Sequence, residues 1–234
     1  MSARRSSETK NTESNINERI GDFIHKYSKV FIIGFAALAV ILAGFIIGST
    51  VREKVSSKAM SELDGFNRRF EAIKPDIASS DPEAALKQVE LIVLLEELSA
   101  FQSKNSGFAA ARAYCLSAEI CALQKRWVEA EEAWVKAAGA ASKTYLAPLS
   151  FFNAAVAAEE QSNIDSAIAH YNSALVYGNT FPQAARAQFS VGRLEESRSN
   201  TDAAIAAYRA VLNRWPNDQV WPNLAQSRIL AISE

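Results

Sequence analysis

The stretch AIAHYNSAL at residues 167–175 returns, with the same alanine, isoleucine, tyrosine and leucine columns, as AIAAYRAVL at residues 204–212, 37 positions later. A third, more diverged copy lies one period upstream, where Ala130, Trp134 and Ala137 stand in the columns of Ala167, Tyr171 and Ala174. Twelve residues before each copy comes a small residue: Ala118, Ala155 and Gly192. Such a period marks a stack of two-helix units. Small residues on both helices let an antiparallel pair pack closely, and the aromatic and later small residue fill the contact with the next pair. Turn-forming residues fall where the units need them. Gln124-Lys125-Arg126, Gln161-Ser162-Asn163 and Ser199-Asn200 separate first from second helices; residues 142–144, 178–180 and 213–216 separate the units. The spacing predicts an all-α solenoid.

These residues resemble the tetratricopeptide repeat (TPR), whose second helix reads A-x-x-x-[FY]-x-x-A after a small residue in the first. The resemblance covers Ala111 to Pro216. The family's unit is 34 residues; each copy here carries three more, which the inter-repeat loop is expected to absorb. Departures are Ser117 and Ala154 where leucine is usual, Glu195 where a large apolar residue is usual, and Val211 for alanine.

The resemblance implies a groove lined by first helices. In the repeat frame its inner positions are Arg112, Cys115 and Glu119, then Leu149, Phe152 and Val156, then Arg186, Phe189 and Arg193. Phe152 and Phe189 occupy equivalent places, so the frame predicts two adjacent, partly accessible rings flanked by arginines. Arginine is a favoured donor to carboxylates and carbonyls. The expected occupant is an extended or helical peptide with apolar and some acidic side chains. The opposing expectation is that the protein's own helices fill the groove and the phenylalanines are core.

Upstream of the repeats, Ala59, Leu63, Phe66, Phe70 and Ile73 form an apolar seam ended by Pro75. Asp81-Pro82 reads as the start of the next helix, running to about Ser103. It carries Leu91-Ile92-Val93-Leu94-Leu95, apolar all round, which predicts a centrally buried helix. The expected layout is a disordered tail (1–18), an amphipathic juxtamembrane helix (19–29), a transmembrane helix (30–51), a helical hairpin (52–106), three TPR-like repeats (107–216) and a capping helix (217–234).

The transmembrane expectation rests on residues 30–51, a run without a charge between Lys29 and Arg52. As a helix it reaches roughly 33 Å, enough for a bilayer core of about 30 Å. It exceeds a signal-peptide core and lacks an A-x-A-like exit, so an uncleaved signal anchor is expected over a cleaved signal. Before it, Ile20, Phe23, Ile24 and Tyr27 make one apolar face suited to the headgroup region. Lysine and arginine near the two ends balance; Arg4, Arg5 and Lys10 tip the reading to a cytoplasmic N-terminus. Gly44 and Gly48 form a G-x-x-x-G, a weak signal for helix association in so Gly- and Ala-rich a span.

Tail, aromatic and basic approach, single span and TPR domain together resemble the YfgM-like family, ancillary subunits of the SecYEG translocon. That resemblance implies a bacterial inner-membrane location with the C-terminal domain in the periplasm. It also implies partners among membrane-complex subunits or unfolded, extended polypeptides. An architectural envelope subunit that binds no substrate, and a cytosol-facing organelle import receptor, share the same layout.

Other classes find no footing. The net charge is −1 and no basic patch offers nucleic acid a surface. Motifs for phosphate loops, zinc proteases, redox dithiols and nucleophile elbows are missing, so no enzyme and no cofactor is expected. His25 and His170 have no second ligand at helical spacing, which argues against a metal. Cys115 and Cys121 read as buried thiols. The pairs Glu131/Glu132, Glu159/Glu160 and Glu195/Glu196 read as solvated surface.

Overall fold

A computed structural model of the chain describes residues 38, 41–42, 57–74 and 83–233. The charge-free run 30–51 and its approach 19–29 lie outside them, apart from Leu38, Ile41 and Leu42, which are helical and exposed. Among the described residues no helix is long and apolar enough to cross a membrane. Pro75, Asp81 and Pro82 also fall outside.

The unit from Lys58 onward is built from helices, with no strand among the described residues. They are α1 (57–73), α2 (Glu83–Lys104), α3 (Gly107–Leu123), α4 (Trp127–Ala140), α5 (Leu146–Glu160), α6 (Ile164–Leu175), α7 (Ala184–Ser197), α8 (Thr201–Arg214) and α9 (Trp221–Ser233). Each helix packs on its neighbours in sequence, as a solenoid requires.

The 37-residue period becomes a series of four apolar layers. The first joins α1, α2 and α3 and buries the expected seam of Ala59, Leu63, Phe66, Phe70 and Ile73. The next is held by Trp134 between α3, α4 and α5, and the third by Tyr171 between α5, α6 and α7. The last gathers Tyr208, Phe189 and Trp221 from α8, α7 and α9. The small columns sit where close approach demands them: Ala118, Ala155, Ala130, Ala167 and Ala204 are fully enclosed.

The turns between first and second helices repeat as faithfully as the layers. Lys125, Ser162 and Ser199 have φ of 58°, 60° and 62°, the left-handed region. At each, the next amide donates back to the carbonyl five residues earlier, as Arg126 to Cys121, Asn163 to Ala158 and Asn200 to Glu195, all at 2.9 Å. This pair of a left-handed residue and a long backward bond satisfies carbonyls that the helix end leaves open. Glycine is the usual occupant; here lysine and serine bear the steric cost of a Cβ.

The fully buried α2 expected from Leu91–Leu95 is not found. Leu91, Leu94 and Leu98 are enclosed, yet Ile92 and Val93 stand 51% and 42% exposed. The reason is that α1 and α3 cover one face of α2 and nothing described covers the other.

Candidate protein-binding face

The first helices present their expected groove positions in a regular pattern. Arg112 and Leu149 are half-buried and Arg186 is exposed; Glu119, Val156 and Arg193 are exposed. The column between them points inward. Cys115 and Phe152 are buried, and Phe189 is half-buried. The frame thus places two surface columns on this face, with a third as the layer beneath.

The expectation of two adjacent accessible rings is corrected by the packing. Phe152 is 4% exposed and belongs to the third layer, edge-on to Tyr171 with ring centres 5.3 Å apart and 6.0 Å from Phe181. The Arg186 guanidinium lies over its ring at 5.1 Å. Phe189 belongs to the last layer instead, 5.2 Å from Tyr208 and 5.4 Å from Trp221. The difference has a local cause: one period after Phe181 stands Asp218, and one period after Arg186 stands Asn223. Phe189 therefore lacks both residues that roof Phe152.

Arg193 is likewise engaged, in an ion pair with Glu159. This contact is part of a repeated device. The Tyr171 hydroxyl donates to Glu159 at 2.7 Å, and one period on the Tyr208 hydroxyl donates to Glu196 at 2.8 Å. Arg193 of the next first helix closes the former group, and Arg228 of α9 closes the latter. A carboxylate at the end of one first helix so ties its own second helix to the following unit. Burial, then the Glu159 carboxylate, pushes the Tyr171 phenol well above its ordinary range. The Arg228 hydrogen bond is the main cause holding Glu196 below the usual carboxylate range. In the first repeat Trp134 and Ala122 occupy these columns, and no carboxylate is needed.

The acidic pairs are therefore not simply solvated. Glu131 accepts from Gln161 at 2.7 Å and meets His170 Nε2 at 2.8 Å, so His170 is a partly buried link between α4 and α6. Glu195, in a position usually apolar, is buried because Arg198 grips its two oxygens at 2.7 Å each and Asn200 adds a third bond at 2.9 Å. The partners of Glu131 lie on or next to other helices and Asn200 lies beyond a turn, which hid them from the sequence; Arg198, three residues after Glu195 at the end of α7, was legible by spacing alone.

Cys115 and Cys121 are free and buried. Burial pushes the Cys115 thiol up to about 11, although Ser150 Oγ lies 3.6 Å from its sulfur. Such a thiol is unreactive at neutral pH. Among the described residues no cluster of three His, Cys, Asp or Glu could hold a metal.

At the other end of the face, α1, α3 and α5 enclose a cavity of about 160 Å³. Arg112 and Glu119 line it from α3, Leu149 and Asn153 from α5, and Leu63 and Asn67 from α1.

The tetratricopeptide-repeat family pattern matches residues 152–219. A TPR repeat-containing protein of Treponema pallidum (strain Nichols) is 31% identical over 230 residues, covering 92% of this chain and 93% of its own. This chain belongs to the TPR family. As a TPR protein it is a protein–protein interaction scaffold.

Proposed function

We propose that this TPR protein is a single-pass adaptor of a bacterial inner membrane. Its N-terminus is cytoplasmic, its repeat domain is periplasmic, and it binds membrane-complex subunits or emerging polypeptides beside the Sec translocon. Residues 30–51 supply the anchor, and the resemblance to the YfgM-like family supplies the place. The observation that carries binding is the first-helix face, where Arg112, Leu149, Val156 and Arg186 reach solvent in register across successive repeats. Proteolysis of intact spheroplasts, followed by immunodetection of the C-terminus, tests the placement. The domain is expected to be digested without lysis; protection until the membrane is opened contradicts it and favours a cytosol-facing receptor.

A second reading has its own observation. Phe152 and Arg193 are consumed by the protein's internal packing, as in a purely architectural subunit that joins a complex and captures no substrate.

A further inference from the structure

Resting on the protein-binding reading, the first-helix face contains one site whose chemistry specifies its ligand. Arg193 is spent on Glu159 and Arg186 on the Phe152 ring. Arg112 makes no ion pair within 4 Å among the described residues, although it is half-buried in the cavity between α1, α3 and α5. Glu119 lines the same cavity two helical turns further along α3, also without an ion pair among the described residues. Its side chain is exposed, and partial desolvation by the cavity wall raises its pKa, against the pull of Lys74 and Arg112. Two opposite charges are thus held at the ends of one cavity, each left without a direct partner. Leaving the half-buried Arg112 charge unpaired costs free energy that an incoming carboxylate recovers, while exposed Glu119 offers an incoming cation a partner at the solvent edge.

Between them the wall is apolar, with Leu63, Leu116 and Leu149 facing the cavity. Tyr145 lines it as well, and the Phe108 ring lies beside Tyr145 with ring centres 6.1 Å apart; Phe108 is 38% and Tyr145 61% exposed. Phe108 lies one turn before Arg112, and Tyr145 one turn before Leu149, so each ring continues the same helical ridge. Aromatic and arginine side chains around a recess are the composition of an interface hot spot.

Size sets the occupant's form. A cavity of about 160 Å³ admits one apolar side chain, whereas a helix is about 10 Å across. Seven helical residues separate Arg112 from Glu119, about 10 Å of rise, which an extended chain covers in about three residues. We infer that this cavity binds an extended protein segment carrying an acidic and a basic side chain about three residues apart, with an apolar side chain between them.

The test pans a phage-displayed random heptapeptide library against the full chain in nanodiscs, beside Arg112→Glu, Glu119→Arg and Arg209→Glu, an exposed control on α8. Enriched peptides are expected to carry the acid and base at that spacing, and Arg112→Glu should weaken them about tenfold or more. A synthetic copy whose acid is replaced by lysine should recover binding to Arg112→Glu, a gain no misfolded variant can give. Enriched peptides without the charge pattern, or with binding changed less than about twofold by Arg112→Glu, overturn the site and leave the adaptor reading standing. No enrichment on any form overturns both.

Discussion

Gly192 of α7 lies against the ring of Tyr208 of α8: a Cβ at Gly192 would fall 2.6 Å from Cε1 and 2.7 Å from Cδ1. That ring is fully buried and its hydroxyl is fixed on Glu196, so it has nowhere to retreat. Alanine occupies this column in the other two repeats; only here does the second helix come too close for it. Gly192→Ala is expected to destabilise by about 1–3 kcal/mol through overpacking, despite alanine's better helix propensity. Gly139→Ala, exposed on α4 with nothing within 4 Å, should instead stabilise by about 0.5–1 kcal/mol. Urea denaturation of both variants checks the opposite signs.

Phe152→Ala empties a core position and should cost about 3–5 kcal/mol, while Phe189→Ala, less enclosed, should cost clearly less. Equal costs would place the two rings in equivalent surroundings, contrary to the roof that Phe181 and Arg186 provide over one alone.

The buried phenols and thiol set the alkaline limit. Burial, then Glu196, pushes Tyr208 up to about 12, and burial raises Cys115 to about 11. A group with a raised folded pKa keeps its proton after the unfolded chain has lost it. Its stabilisation is therefore full below the unfolded value and lost as pH rises through the folded one. Tm is expected to fall from roughly pH 9 to 12. Tyr208→Phe should cost about 1 kcal/mol at pH 8 and flatten the decline above about pH 10. A variant with the same alkaline slope as the parent would exclude Tyr208 as a source.

Left-handed Lys125 offers a gain. Lys125→Gly removes a Cβ from a conformation that disfavours it, at some cost in unfolded-state entropy, and should stabilise by about 0.5 kcal/mol. Ser162→Gly and Ser199→Gly should behave alike, and the three should add because they lie in separate turns.

What the sequence made legible was what recurs with the period. Ala118, Ala155, Ala167 and Ala204 announced close helix contacts, and the polar triplets at 124–126 and 161–163 announced turns that proved identical in geometry. What it hid was decided by which side chains meet across helix ends, links and neighbouring helices. Phe181, in the irregular link between α6 and α7, seals Phe152; Arg198, at the C-terminal end of α7, makes buried Glu195 tolerable; Tyr171 and Arg193, on different helices, claim Glu159. Ile92 and Val93 were apolar without being core because, among the described residues, one face of α2 alone is covered. Arg112 and Glu119 share a face of α3 by spacing, but that face becomes a cavity because α1 lies beside it, a contact no local spacing encodes.

The claim that first helices form the binding face is tested most directly by photo-crosslinking in intact cells. A photoreactive amino acid is placed either at Leu149, in the cavity wall, or at Val176, 83% exposed at the end of a second helix. The account predicts discrete protein adducts from position 149, diminished when Arg112→Glu is added, and none above background from position 176. Adducts from position 176 alone, or equal adducts from both that ignore Arg112→Glu, would contradict it.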